Sequence, residues 1–214
     1  MHNQKLRDGC KKLSLTLTDS QFEKLEAYID CIMEFNKTYN IMKADTEDEL
    51  AVNHILDSLA GAATVEKEAQ KKSGCTIADI GSGGGCPGIP LAVYMEHNSF
   101  VLVERMEKRC AFLEGVVSKL NLSNVKVLCS AADSVVPSSF DIEVFRAFHP
   151  FDKKIIKLLR RMLKPEGTII AYKARSERIE EEMLGIKDLV PTYKKIPLTV
   201  PFLEDHERNL VIIQ

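Results

Sequence analysis

The strongest constraint on the fold is a glycine-rich turn that separates a short apolar run from a helical pattern. Residues 76–80 lead into Gly81-Ser82-Gly83-Gly84-Gly85, and Pro87 follows where a helix would begin. Glycine is needed where the backbone takes a positive φ or where a ligand approaches it closely. Proline suits a first helical turn, because its missing N–H would have no partner there. The segment therefore predicts a strand, a turn whose backbone N–H groups can bind an anionic group, and a helix.

The chain beyond residue 75 alternates short apolar runs with helical patterns. We predict strands over 76–80, 100–103, 125–128, 142–145 and 168–172, and helices over 88–96, 106–120, 152–163 and 176–184. A turn is predicted over 164–167, and two late strands over 192–199 and 209–213 would pair as an antiparallel edge. This alternation is typical of βαβ units in a parallel sheet, where ligands bind at the carboxyl ends of the strands.

We predict that residues 1–74 form a helical extension packed on a main domain over 75–214. The two together are expected to form a single structural unit. Capping residues precede an amphipathic helix that we predict over 19–38. A second helix is expected after the acidic segment 45–48, because negative charge stabilises a helix N-terminus. The polar residues 66–74 are expected to be a linker.

Composition narrows the class of protein. At 214 residues the chain suits one α/β domain with a helical extension. Its net charge of −2 argues against a protein that coats nucleic acid nonspecifically, although it is compatible with a local basic patch. No apolar run approaches the length that spans a bilayer, and residues 1–12 lack the apolar stretch of a secretion signal. We therefore expect a cytoplasmic protein that does not contact membranes, with a monomer as the default state.

The cysteines give no sign of a metal site. They are Cys10, Cys31, Cys75, Cys86, Cys110 and Cys129. No two form a C-x-x-C pair, and the five histidines do not cluster around them, which argues against structural zinc. In a chain expected in the cytoplasm, we predict that all six are free thiols and that no metal is bound.

Two ligands compete for the glycine turn. Residues 83–88 satisfy the dinucleotide pattern G-x-G-x-x-G, but that pattern alone is weak. Counted from the strand end at Gly81, the third glycine position falls on Cys86, and Asp79 stands where dinucleotide folds usually carry an apolar residue. The order Asp-x-Gly-x-Gly-x-Gly instead resembles motif I of class I methyltransferases. We therefore expect S-adenosylmethionine rather than a nicotinamide dinucleotide.

Residues after the next two strands would complete a cofactor pocket. Glu104 ends the second strand, where a carboxylate can accept hydrogen bonds from both ribose hydroxyls. The alternative is an ordinary solvated glutamate that caps the next helix. After the third strand, the N–H of Ala132 could meet an adenine ring nitrogen, and Asp133 could accept from the exocyclic amine. Asp133 as a simple helix N-cap is the alternative, and the two roles are compatible.

Five segments carry a family resemblance over almost the whole chain. They are 36–41 (Asn-Lys-Thr-Tyr-Asn-Ile), 54–59 (His-Ile-Leu-Asp-Ser-Leu), 79–91 (the glycine turn with its Pro-Gly-Ile-Pro tail), 146–148 (Arg-Ala-Phe) and 208–211 (Arg-Asn-Leu-Val). With them the chain resembles the bacterial small-subunit ribosomal RNA guanine-N7 methyltransferases, the glucose-inhibited division protein B family. The resemblance implies a Rossmann-like class I methyltransferase fold with a seven-stranded, mostly parallel sheet. It also implies S-adenosylmethionine as donor and N7 of one guanine in small-subunit ribosomal RNA as acceptor.

The resemblance assigns roles to individual residues. Gly81 and Cys86 would line the cofactor together with Asp79 and Gly83 of the same turn, Glu104 would bind the ribose, Ala132 and Asp133 the adenine, and Arg146 would lie beside the transferred methyl. Guanine N7 has a lone pair in the plane of its ring, so a general base is unnecessary. We therefore expect catalysis by positioning and electrostatics, with Arg146 as the positioning residue. The alternative for Arg146 is a surface salt bridge.

The residues that contact the substrate are less defined by the sequence. Candidates are Asn40, His54, Asp57, Ser58, Lys173 and Arg208. For His54, Asp57 and Ser58, spacing alone favours a network on a helix surface, whereas the resemblance favours the cleft. Phe148 and Phe151 could stack on an extruded base or serve as core or lid packing. The partner would be small-subunit ribosomal RNA or the ribosomal subunit, and whether it is naked, mature or still assembling stays open. The alternative functions are methylation of another RNA or a small molecule, an NAD-binding oxidoreductase, and a cofactor-binding protein without activity.

Overall fold

The computed structural model describes residues 3–214, and its centre is a seven-stranded sheet. The strands are β1 Thr76–Ile80, β2 Ser99–Glu104, β3 Val125–Cys129, β4 Phe140–Arg146, β5 Leu163–Lys173, β6 Lys194–Leu198 and β7 Arg208–Ile213. Their order is β3-β2-β1-β4-β5-β7-β6, in which the first five are parallel and β7 is antiparallel to both neighbours. The predicted fold class is confirmed, and every predicted strand is present.

The register brings three strand ends together at one edge of the sheet. Ile80 at the end of β1 pairs with Val103 of β2, one residue before Glu104. On the other side of β1, Asp79 pairs with Val144 of β4. The glycine turn, Glu104 and the end of β4 therefore lie side by side, as expected at the carboxyl ends of parallel strands.

Helices cover both faces of the sheet. They are α1 Gln4–Lys12, α2 Asp19–Asn36, α3 Glu47–Leu50, a π-helical turn Ala51–Leu56, α4 Asp57–Leu59, α5 Ala62–Ala69, α6 Gly88–Tyr94, α7 Glu107–Lys119, α8 Lys153–Met162 and α9 Ser176–Gly185. Helix α2 begins at a capping box in which Thr18 and Gln21 each bond the other's backbone N–H through their side chains. No helix within residues 3–214 is long and apolar enough to cross a membrane.

The core consists of one apolar cluster on each face of the sheet. The larger cluster joins the N-terminal helices to α6, α7 and the sheet, and includes Leu25, Ile55 and Leu102. The second cluster packs α8 and α9 on the other face, with Phe145 and Leu159 among its buried members. Because the larger cluster is shared, the N-terminal helices and the sheet have a common core.

Two helices differ from the sequence prediction. Helix α1 is polar overall and was not predicted, but it packs so closely that a Cβ on Gly9 would lie 2.2 Å from Leu56 Cδ1. The predicted linker over 66–74 is wrong in its first half, because α5 continues to Ala69 and buries Val65 and Ala69. Tertiary packing stabilises both short helices, and the local pattern does not show that packing.

The predicted turn over 164–167 lies inside β5. The register between β4 and β5 shifts there, because Phe140 pairs with Leu163 whereas Ile142 pairs with Thr168. The extra residues of β5 form a bulge. The Lys-Pro-Glu-Gly signal therefore marks an irregularity within a strand instead of the connection that precedes it.

The prediction of six free thiols is wrong for Cys110 and Cys129, which form a disulfide bond. Helix α7 packs against β3 and places the two Cα atoms 5.7 Å apart, a distance that a disulfide spans. The free thiols are Cys10, Cys31, Cys75 and Cys86. The bonded residues are 19 positions apart in sequence, so their adjacency arises from packing and not from local spacing.

Candidate functional site

A buried carboxylate holds the glycine turn in place. Asp79 is 1% exposed, and its Oδ2 accepts hydrogen bonds from Ser82 Oγ at 2.7 Å and from Gly88 N at 2.8 Å. Burial raises the pKa of Asp79 to about 6, although the two hydrogen bonds act in the opposite direction. Within the turn, Gly81 and Gly85 take φ values of +71° and +105°, where other residues are strained. Asp79 thus links the end of β1 to the first turn of α6.

The N-terminal helices support the turn from behind. The Tyr28 hydroxyl of α2 donates to Gly84 O at 2.6 Å and lies 3.5 Å from Cys86 Sγ. Met42 packs against the same glycine, since a Cβ on Gly84 would lie 2.7 Å from Met42 Cε. The buried Cys86 side chain therefore faces α2. The sequence pattern shows Tyr28 only as part of an apolar helix face, so its contact with the turn was missed.

Glu104 lies beside the turn with an oriented carboxylate. Its Oε2 accepts from Gly83 N at 2.9 Å, and its Oε1 accepts from the backbone N–H groups of Arg105 and Met106, each at 2.9 Å. The residue is 4% exposed, so the alternative of a solvated glutamate is wrong. A carboxylate has about four acceptor positions. The three backbone donors leave room for a further donor, such as a ribose hydroxyl.

The loop after β3 forms a short 3₁₀ turn, Ala132–Ser134. Its N-cap is Ala131, so Asp133 lies within the turn and the N-cap alternative is wrong. The Asp133 side chain is exposed. Arg161 of α8 fixes the loop, because its Nη2 donates to the carbonyl oxygens of Asp133 and Val135, each at 2.8 Å. The side chain at the predicted adenine position is thus presented on a fixed backbone.

The end of β4 carries an arginine held by groups from the N-terminal helices. Arg146 Nη1 donates to Asp57 Oδ2 at 2.7 Å and to Asn53 O at 3.1 Å, and its Nη2 lies 2.8 Å from His54 Nδ1. The other carboxylate oxygen of Asp57 accepts from Arg208 Nε at 2.9 Å. A single carboxylate, with its side chain 3% exposed, therefore lies between two guanidinium groups.

His54 is neutral, and its ring orientation is defined. Burial lowers its pKa, and the charge of Arg146 lowers it further. Because Arg146 can only donate, His54 Nδ1 is the acceptor, and the proton lies on Nε2, which faces Lys43 O at 3.3 Å. Ser58 is fully buried and donates from Oγ to His54 O at 2.6 Å. The structure thus places His54 and Asp57 at the cleft, with Ser58 beneath them.

The π-helical turn Ala51–Leu56 explains this convergence. Such turns are rare and are frequent at functional sites. Here the carbonyl oxygen of Asn53 and the ring of His54 both face Arg146, and Asp57 follows at the start of α4. A pattern read with the ordinary helical period does not predict the wider turn.

A cavity of about 700 Å³ opens at this cluster. Its walls include Lys43, His54, Asp57, Arg146, Phe148 and Arg208. Phe148 lines this cavity and also packs directly against the glycine turn, since a Cβ on Gly81 would lie 2.4 Å from Phe148 Cδ2. The substrate candidates His54, Asp57 and Arg208 are therefore brought together next to the predicted cofactor turn.

Three other candidates have different positions. Lys173 lines the cavity, but its Nζ lies 2.7 Å from Glu182 Oε2, so its charge is paired. Asn40 is exposed and is not among the cavity-lining residues. Phe151 is buried in the core with Lys173 Nζ 4.3 Å from its ring centroid, which favours the packing role.

The turn can accept a ligand of the expected kind. A Cβ on Gly83 would meet only Gly81 O, at 3.9 Å, so the space above this part of the backbone is open. The buried Asp79 Oδ1 has no hydrogen-bond partner within residues 3–214. An unpaired buried acceptor beside open backbone fits a donor such as the ammonium group of S-adenosylmethionine. In the same part of the chain, no group of three or more His, Cys, Asp or Glu residues could hold a metal ion.

The architecture is that of the Rossmann-like methyltransferases. A SAM dependent methyltransferase from Aquifex aeolicus matches with a TM-score of 0.54 at 19% identity, covering 79% of this chain and 94% of that one. The human methyltransferase 10 domain containing protein matches with a TM-score of 0.58 at 12% identity, covering 90% and 99%. At these identities the similarity defines the fold.

The family follows from the sequence comparison. Residues 21–211 match the sequence model of the rRNA small subunit methyltransferase G family. The chain therefore belongs to this family. A protein named ribosomal RNA small subunit methyltransferase G from Treponema denticola is 34% identical, covering 100% of this chain and 95% of the relative. The protein of that name from Chromobacterium violaceum is 32% identical, covering 99% and 97%. The resemblance read from the sequence motifs is confirmed.

Proposed function

We propose that the protein transfers a methyl group from S-adenosylmethionine to N7 of a guanine in small-subunit ribosomal RNA. The observation that supports this proposal most directly is the position of Arg146. Asp57 holds it at the end of β4, in the wall of the 700 Å³ cavity beside the glycine turn. Membership of the family supports ribosomal RNA as the substrate. The proposal includes ribosomal RNA or the small subunit as partner, a cytoplasmic location and a monomeric state.

In this proposal the glycine turn and two strand ends hold the cofactor. The backbone of Gly81 and Gly83 and the unpaired oxygen of Asp79 receive the methionine part, Glu104 receives the ribose, and the turn at 132–133 receives the adenine. When bound, S-adenosylmethionine supplies an electrophilic methyl group on its sulfonium sulfur. The residues of this chain need only align guanine N7 with that group.

The state of His54 agrees with a reaction that needs no general base. The ring is neutral, and its two nitrogens face Arg146 and Lys43 O, so neither is free to take a proton from the substrate. Arg146 has five N–H donors, of which three are engaged by Asn53, Asp57 and His54. The other two can donate to a substrate acceptor such as guanine O6. Arg146 would thereby orient the base for in-line attack.

The charge of the site also suits the product. Methylation at N7 places a positive charge on the guanine ring, which two unpaired arginines in the cavity wall would oppose. Asp57 reduces this repulsion, because its carboxylate binds both Arg146 and Arg208. Phe148 lines the cavity beside the glycine turn and offers a ring on which an extruded base can stack.

Mapping of methyl incorporation on ribosomal RNA tests the proposal. The purified protein is incubated with S-adenosylmethionine and either deproteinised small-subunit RNA or intact subunits. We expect one guanine to be modified at N7 in at least one preparation. Modification at any other atom would overturn the proposal. The absence of modification in both preparations would overturn it as well.

Two further measurements test the role of Arg146 and the identity of the cofactor in this proposal. Arg146→Lys keeps the charge but loses the planar fork, so we expect kcat to fall about 100-fold with little change in S-adenosylmethionine affinity. Arg160→Lys on the exposed face of α8 is the matched control and should retain activity. Calorimetry with S-adenosylmethionine and with NAD separates the oxidoreductase alternative, since tighter binding of NAD would contradict a methyltransferase.

A further inference from the structure

A second cavity, of about 520 Å³, lies between α2 and α7, outside the site described above. Its walls include the rings of Phe35, Tyr39 and Phe112. The Phe35 ring centroid is 4.7 Å from that of Phe112 and 5.2 Å from that of Tyr39, which is 44% exposed. We call this cavity the aromatic groove. It offers flat apolar surface to the solvent.

Gly115 on the floor of the aromatic groove has no role in the packing of the fold. It lies inside α7, where glycine lowers helix stability relative to alanine. A Cβ on Gly115 would meet no atom within 4 Å. The fold does not require glycine at this position, and its absence of a side chain leaves the groove open down to the helix backbone.

The rim of the aromatic groove carries positive charge. Lys108 Nζ lies 3.0 Å from the Tyr39 ring centroid, and Lys119 also borders the groove. Neither lysine has a carboxylate oxygen within 4.0 Å among residues 3–214. The acidic residue of the rim, Glu34, is paired with Lys37. Flat rings bordered by two lysines that lack a carboxylate partner in that range match the chemistry of single-stranded nucleic acid, whose bases stack and whose phosphates attract cations.

The aromatic groove is close to the proposed active site. Tyr39 lines the groove, and Lys43 lines the 700 Å³ cavity. They are four positions apart in sequence, so their Cα atoms are at most about 14 Å apart. One extended RNA segment can therefore reach both places.

We propose that the aromatic groove binds a second, non-target nucleobase of the RNA segment that delivers the guanine. In this arrangement the base stacks on Tyr39 and Phe35 over Gly115, and Lys108 Nζ moves from its position 3.0 Å from the Tyr39 ring centroid to a neighbouring phosphate. The inference rests on the proposed function, because it assigns a further contact to the same RNA substrate. It predicts that substrate affinity depends on a surface that touches neither the cofactor nor the target base.

Filling the aromatic groove tests the proposal. Gly115→Met adds a flexible side chain where there is open space and improves helix propensity, so the fold should be retained or stabilised. Gly185→Met is the matched control, because Gly185 ends α9 and a Cβ there also meets nothing within 4 Å. With a preparation that the wild-type protein methylates, deproteinised RNA or intact subunits, we expect Gly115→Met to raise the KM for RNA about 5- to 150-fold, the range for loss of one stacked base. Its kcat and S-adenosylmethionine affinity should match those of Gly185→Met.

The possible outcomes are distinct. Equal KM values for the two variants would overturn the groove assignment while leaving the proposed function intact. A wild-type protein that is inactive on both deproteinised RNA and intact subunits would count against the function itself. Where the wild type methylates both preparations, an effect seen only with intact subunits would indicate a ribosomal protein in the groove. A wild-type dimer that Gly115→Met dissociates would indicate a second copy. Should Gly115→Met lower the Tm, Tyr39→Ala gives the same comparison by removing the exposed ring.

Lys108 gives an independent measurement. Lys108→Gln should weaken RNA binding and lower the slope of log K against log salt concentration by about one, as expected for one lost phosphate contact. An unchanged slope would exclude the phosphate contact.

Discussion

Glu143 lies in the central strand β4 with a completely buried side chain, and neither carboxylate oxygen has a hydrogen-bond partner within residues 3–214. Burial raises its pKa well above the ordinary value of 4.5. The folded protein therefore holds a proton on Glu143 at pH values where the unfolded chain has already released it. This contribution to stability is fully present below about pH 4.5. It is lost as the pH rises towards the pKa of the folded state.

The magnitude follows from proton linkage. Between the unfolded and folded pKa values, each pH unit lowers the free energy of unfolding by about 1.4 kcal/mol through this one group. For a domain of this size, that corresponds to a fall in Tm of about 3–6 °C per pH unit. Glu143→Gln stays neutral at every pH, so the variant should lack this part of the slope. Glu143→Leu should also be more stable than Glu143→Gln, because it removes the buried polar group.

Urea unfolding at pH 5.5, 6.5 and 7.5 measures the effect. The quantity of interest is the difference between wild type and Glu143→Gln, since other titrating groups such as Asp79 contribute equally to both. Glu177→Gln on exposed α9 is the control and should follow the wild type at each pH. Parallel pH dependence of wild type and Glu143→Gln would refute the reasoning, because it would mean that Glu143 is ionised in the folded protein.

Three further changes address the site. Asp57→Asn removes the carboxylate shared by two arginines and should lower the free energy of unfolding by about 3 kcal/mol, so an unchanged Tm would contradict the paired arrangement. Gly88→Ala would place a Cβ 2.7 Å from Asp79 Oδ2 and 2.4 Å from Leu102 Cδ2, and we expect a loss of about 1–3 kcal/mol in thermal unfolding together with weaker S-adenosylmethionine binding. Glu104→Ala should weaken S-adenosylmethionine by about 1.5–3 kcal/mol in calorimetry, and unchanged affinity would refute the ribose assignment.

The features that the sequence could predict are those encoded by neighbouring residues. The glycine turn is local, because Asp79, three positive-φ glycines and Gly88 lie within ten residues, and Asp79 bonds to Ser82 and Gly88. Glu104 is predictable because a strand end of known register places it beside that turn. Alternating apolar runs likewise define the strands, because the apolar residues of β1, β2, β4, β5 and β7 are mostly buried.

Contacts between distant segments account for what the sequence did not predict. Tyr28 reaches Gly84 across 56 positions, and its role depends on how α2 packs against α6. The same holds for Cys110 and Cys129, which meet only because α7 returns to β3. Helix α1 has few apolar residues and depends on the fit of Gly9 against Leu56. In each case tertiary packing stabilises the contact, and no short pattern in the sequence predicts that packing.

The residues of the site come from distant parts of the chain, and the N-terminal extension supplies some of them. Asp57 comes from this extension, whereas Arg146 ends β4 and Arg208 begins β7. Without residues 1–74, the two arginines would lose their shared carboxylate and would face each other across the cavity. The glycine turn would also lose the hydroxyl of Tyr28 and the packing of Met42. The extension is therefore part of the active site that we propose, because it supplies the groups that fix Arg146 and the turn relative to each other.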